Sequence, residues 1–94
     1  APEDLELKQA HAVMIYEAAR MKDPKAKVPA LAAQLADEVL KQDPKAMDAL
    51  FMAGQAALDQ GRKSDAKALW SRLLEQLDPA SPDYGDLKKM VEGL

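Results

Sequence analysis

His11 is the one histidine in this chain, and an imidazole titrating near neutrality is the first group to consider for proton transfer or metal ligation. It stands between Ala10 and Ala12, with no second histidine and no cysteine anywhere in the 94 residues. It therefore reads as a packed or half-exposed side chain, not as a ligand. Without cysteine the chain has no disulfide framework, no thiolate metal site, no redox CxxC pair and no covalent haem-attachment motif. The five methionines, Met14, Met21, Met47, Met52 and Met90, lack the close spacing of a soft-metal site. They are expected on different faces, filling gaps in a core. Ser64, Ser71 and Ser81 fall at a helix start, an exposed face and an N-cap, and the sixteen carboxylates have no partnered nucleophile or base. No Gly-rich loop follows a strand. The expectation is no catalytic residue, no metal and no cofactor, so the chain is not read as an enzyme.

What the residues can do is recognise, and the elements that would position them are helices. Hydrophobic residues make up 48% of the chain but aromatics only 4%. Alanine supplies much of the difference, which suits closely spaced helices better than a sheet core. The net charge is −3, with both signs interspersed. That leaves no basic stripe for a phosphate backbone, and nucleic acid is not an expected partner. No apolar run approaches the roughly 18 residues that span a bilayer.

Apolar periodicity and breaker residues divide the chain into five helices and no strand. The first runs from about Asp4 to Met21, with Leu5, Ala12, Ile15 and Ala19 on one face, and stops ahead of Asp23-Pro24. The second spans about Pro29 to Lys41 with Leu31, Leu35, Ala36, Val39 and Leu40 as its apolar face. Asp43-Pro44 breaks it, and Asp43 is a plausible N-cap for a third helix over 46–60. Gly61 gives a turn into a fourth helix over 63–77, which Asp78-Pro79 ends. Ser81 caps a fifth, with Pro82 in its first turn.

Met47 to Pro79, MDALFMAGQAALDQGRKSDAKALWSRLLEQLDP, has small residues Gly54 and Ala66 twelve apart, Gly61 between them and the bulky Trp70 in the second helix. This pattern resembles a tetratricopeptide helix–turn–helix repeat, in which small residues let two antiparallel helices approach. Aligning Ala12 with Gly54 and Ala32 with Ala66 gives a degenerate first repeat. Its gap of twenty residues against twelve places eight extra residues between its helices. The expected architecture is all-α: a tetratricopeptide-like right-handed superhelix of two helix–turn–helix repeats plus a C-terminal capping helix. It is one domain over 1–94, with a repeat at about 5–44 carrying an extended loop at 22–28, a repeat at 45–79 and a cap at 81–94.

The stretches LAAQLADEVLKQDPKAMDAL, DALFMAGQAALDQGRKSDAKALWSRLLEQLDP and DPASPDYGDLKKMVEGL together look like the C-terminal repeat domain of bacterial cytochrome c maturation proteins, the haem-lyase-associated tetratricopeptide subunits. The likeness covers about Leu7 to Val91. It implies a periplasmic domain that holds C-terminal peptides of apocytochromes or haem-lyase subunits. The start Ala-Pro-Glu-Asp, without an initiator methionine, is what a cleaved secretory protein or a trimmed chain would show.

In such repeats the first helices line the groove. Carried onto this chain, that register puts Gln9, Val13, Tyr16 and Glu17 on the groove in the first repeat, and Phe51, Gln55, Leu58 and Asp59 in the second. Val13, Tyr16, Phe51 and Leu58 form an apolar strip, with Gln9 and Gln55 able to hydrogen-bond a peptide backbone. Affinity is then expected from hydrophobic anchors, with little weakening by salt. The alternative is that Phe51 and Leu58 pack against the fifth helix or a neighbouring subunit. The face lacks the Lys, Asn and Arg of repeats that clamp chaperone carboxylates. His11 falls where such repeats are usually apolar and core-facing, and Lys22, Lys25 and Lys27 form a solvated loop. Two other functions compete: an interaction module in another envelope assembly, and a self-association domain that forms a homodimer.

Overall fold

The fold is described from a computed structural model over residues 2–94, with side chains from Asp4 onward; residue 1 of the expected domain lies outside the described residues. It is an all-α helical repeat: α1 (Pro2–Lys22), α2 (Ala30–Gln42), α3 (Met47–Asp59), α4 (Lys63–Gln76) and α5 (Pro82–Glu92), with no strand among the described residues. Consecutive helices pack against each other, and α1 also touches α3.

Small residues set the helix spacing. Ala12, Ala32 and Ala66, three of the four positions aligned across the two helix pairs, are fully buried, and Gly54 is buried as well. Gly54 has a specific neighbour. A Cβ built on it would lie 2.2 Å from Nε1 of Trp70, so the glycine makes room for an indole and not only for a helix backbone. Trp70 is fully buried, and its Nε1 donates to the Phe51 carbonyl at 3.2 Å. Two core clusters result. One is built on Ala12, Ala32, Ala36, Val39, Ala49 and Met52, the other on Leu50, Trp70, Leu73, Leu87 and Val91. Leu40 packs against both.

The turns follow local chemistry. Gly61 has φ +81°, and the bonds Arg62 N–H to Ala57 O (2.8 Å) and Gly61 N–H to Leu58 O (3.0 Å) close the end of α3 as a Schellman motif. Each Asp-Pro pair makes the same side-chain turn. Oδ1 of Asp23, Asp43 and Asp78 accepts from the backbone N–H two residues on, at 3.0, 3.1 and 2.9 Å. Asp43 is therefore not the N-cap of α3. That position belongs to Ala46, which has no capping side chain. Ser81 does cap α5, accepting from Tyr84 N–H at 3.2 Å.

Three further expectations are corrected. Of the methionines only Met52 belongs to a core, while Met14 and Met21 are 67% and 87% exposed. These two also share a face of α1 with Leu7, 69% exposed, because seven residues are nearly two helical turns. His11 is exposed, not core-facing. Leu31 is 52% exposed and Ala32 takes the buried place beside it, in the helix pair where α2 packs on α1.

Candidate functional site

Six of the eight expected groove residues line two adjoining cavities. Val13, Tyr16 and Glu17 on α1 meet Phe51 on α3 around a shallow cavity of about 150 Å³, with Arg20, Asp48 and Met52 completing it. Positions 13, 16, 17 and 20 are spaced by three and four, which puts them on one side of α1. Arg20 lies over the Tyr16 ring, 5.5 Å from its centroid. Burial pushes the Tyr16 hydroxyl above its ordinary value; the Arg20 charge pulls it back and the Asp59 carboxylate adds to the rise. At neutral pH Tyr16 is a neutral donor on an otherwise apolar strip.

Phe51 is the centre of this surface. Its ring stacks on Trp70 at 6.1 Å and 24°, and it lines two neighbouring cavities as well. One of these lies between α3 and α5. The other, of about 380 Å³, is walled by Pro24, Lys25 and Ala26 of the loop between α1 and α2. The extra residues of the first repeat thus form one end of the groove.

Gln55 and Asp59 line the second of these cavities with Tyr16 and Phe51, and these two, like Gln9 and Leu58, also make contacts that hold the fold. Gln9 accepts from Ala49 N–H at 3.0 Å through Oε1. Ala49 is the third residue of α3, whose first N–H groups have no partner within the helix. A glutamine on α1 thereby caps α3, in place of the absent local cap. Asp59 accepts from Val28 N–H at 3.0 Å and from the Gln55 amide at 3.1 Å. This pair ties the loop between α1 and α2 to the end of α3. Leu58 and Phe51 pack against the cluster built on Leu50, Trp70, Leu73, Leu87 and Val91, while α5 itself docks on α4 and not on α3. Phe51 serves both core and groove, its ring meeting Trp70 while it lines the groove cavities.

Sequence reasoning missed Arg20, Asp48 and Met90, which line the same surface. Arg20 had a signal, being one helical turn beyond Tyr16 and Glu17. Met90 had none, because only the packing of α5 brings it beside α3. Lys8, half-buried on α1, forms an ion pair with Glu38 of α2 at 3.8 Å, which joins the first helix pair. Among the described residues, no helix is long and apolar enough to cross a membrane.

A family model described as tetratricopeptide repeat matches residues 25–91, more than half of the chain. The match opens in the loop between α1 and α2 and runs through α5, leaving α1 outside it. No curated protein and no solved structure matches the chain. With paired helices, small residues at the close approaches and this match, the chain belongs to the tetratricopeptide-repeat family.

Proposed function

We propose that this domain binds an extended or helical peptide along the surface shared by α1 and α3. Repeats of this family generally mediate protein–protein interactions and are in general non-enzymatic scaffolds. The observation that carries the reading is the convergence of Val13, Tyr16 and Phe51 on one cavity, with Phe51 held from behind by Trp70. Each well-buried anchor contributes about 1.5–3 kcal/mol before ordering costs, so two or three support micromolar binding.

The resemblance of the three quoted stretches to cytochrome c maturation proteins supports a finer form of this proposal. In it the ligand is a C-terminal peptide of an apocytochrome or a haem-lyase subunit, and the compartment is the periplasm. A protein-interaction module of another envelope assembly uses the same groove with a different peptide. Calorimetric titration with C-terminal peptides of apocytochrome c and of haem-lyase subunits separates the two. Micromolar binding that Phe51→Glu abolishes, with helical content retained, supports the finer form. Failure of every such peptide removes it.

A second reading, self-association, is favoured by one observation away from the groove. Leu7, Met14 and Met21 form an exposed apolar stripe at heptad spacing along the outer side of α1. In this reading the homodimer forms through α1 and leaves Phe51 accessible. Light scattering across a concentration series tests it.

A further inference from the structure

The cleft between α3 and α5 is chemically unlike the rest of the groove. α5 packs on α4 and not on α3, and the space left open is a cavity of about 240 Å³. Phe51, Leu73, Leu77 and Leu87 make its floor and walls, with Leu73 and Leu87 buried. Met47 and Met90 stand at its mouth, both partly exposed. The floor is held in place, because the Phe51 ring stacks on the buried Trp70, whose Nε1 donates to the Phe51 carbonyl. A cavity of about 150 Å³ can accept benzene, so this one has room for a single leucine, methionine or phenylalanine side chain.

The charged part of its lining has one sign. Asp48, in the first turn of α3, and Asp83 and Asp86, at the start of α5, converge on the mouth, and among the described residues no basic side chain lines it. All three carboxylates are exposed. An uncharged or acidic segment seated there would strip water from carboxylates and return nothing, whereas a segment with cations beside its anchor meets complementary charge.

We propose that the α3–α5 cleft takes one apolar side chain from a partner polypeptide segment that carries lysine or arginine on either side of that anchor. The proposal rests on the peptide-binding reading above and names the charge its ligand must have. It also reverses the expectation of weak salt dependence. That expectation rests on the α1 and α3 positions alone, whereas Asp83 and Asp86 of α5 line one cavity with Asp48.

The test uses three synthetic twelve-residue peptides of one length and helix propensity. The first has one phenylalanine between lysines, the second the same phenylalanine between glutamates, and the third the lysines with serine in place of phenylalanine. Fluorescence anisotropy measures each at low and high salt. The lysine–phenylalanine peptide is expected to bind about 10-fold tighter than either of the others, and to lose several-fold in affinity as salt is raised. The double variant Asp83→Asn, Asp86→Asn should remove most of that advantage and most of the salt dependence. Met90→Ser should weaken the lysine–phenylalanine peptide without changing its salt dependence. Equal affinity for the lysine and glutamate peptides, or full affinity in the double variant, overturns the proposal. If Val13→Glu abolishes lysine-peptide binding while the double variant keeps it, the peptide lies between α1 and α3. This inference then fails and the groove reading stands. If none of the three peptides binds and the C-terminal peptides also fail, both fall.

Discussion

At Gly54 the missing side chain and the presence of Trp70 are one fact seen from two helices. A Cβ there would meet the indole ring at 2.2–2.9 Å, and the ring is fully buried with its N–H committed to Phe51. Gly54→Ala should therefore cost about 1–3 kcal/mol by overpacking, against about 1 kcal/mol gained in helix propensity. In a Trp70→Leu background the clash is gone, and Gly54→Ala should become neutral or stabilising. A double-mutant cycle by urea denaturation reads this coupling directly; additive effects would place the ring elsewhere. Trp70→Ala alone should cost about 3–5 kcal/mol. Tyr16 supplies a prediction in pH. Its folded pKa lies above the ordinary value, so the neutral phenol is the form the fold favours. Its contribution is complete below about pH 10 and is lost as pH rises through the folded value. Tyr16→Phe should lack that part of the alkaline loss of stability, measured as urea midpoints of the two proteins between neutral pH and about pH 11.

Among the elements, α3 depends most on its neighbours. Its N-terminus has no local side-chain cap, and the Gln9 side chain from α1 supplies one. Gln9→Ala should cost about 1 kcal/mol by leaving the Ala49 N–H without its partner. For a domain of this size that lowers the melting temperature by about 4–8 °C. Peptide affinity, referred to folded protein, should be unchanged, because the glutamine oxygen is already used within the fold. A selective loss of affinity at full stability would return Gln9 to the groove. The loop between α1 and α2 is held in a similar way, by Asp59 accepting from Val28 N–H. Asp59→Ala should speed hydrogen exchange at Val28 and open the groove end walled by Pro24 and Ala26, with little change in α4 or α5.

For the molecule as a whole, the distribution of apolar surface is the feature with the widest consequence. The two core clusters use the inner faces of all five helices, yet α1 also carries Leu7, Met14 and Met21 outward along its length. If that stripe pairs with a second copy, Met14→Glu should convert a dimer to a monomer in light scattering, while melting of the dilute protein changes little. A protein that is monomeric at all concentrations in both forms would exclude self-association through α1. The groove on the other side of the same helix should keep its peptide affinity in either case.

The chain by itself determined five helices, their breaks and the positions of closest approach. These are local properties: apolar spacing, proline excluding helix before it, a positive φ at Gly61 and small residues aligned between the helix pairs. It also brought Val13, Tyr16, Glu17 and Phe51 to one surface, because helical periodicity and repeat register suffice to place them. Tertiary structure decided how the polar groove residues are spent. Gln9 and Asp59 bond to backbone groups 40 and 31 residues away, and no local pattern encodes such partners. It likewise turned Met14 and Met21 outward beside Leu7, although methionines are expected to fill a core. The acidic mouth of the α3–α5 cleft belongs to the same class. Asp48 and the pair Asp83 and Asp86 are far apart in the chain, and they share a cavity only because α5 docks on α4 and stops short of α3.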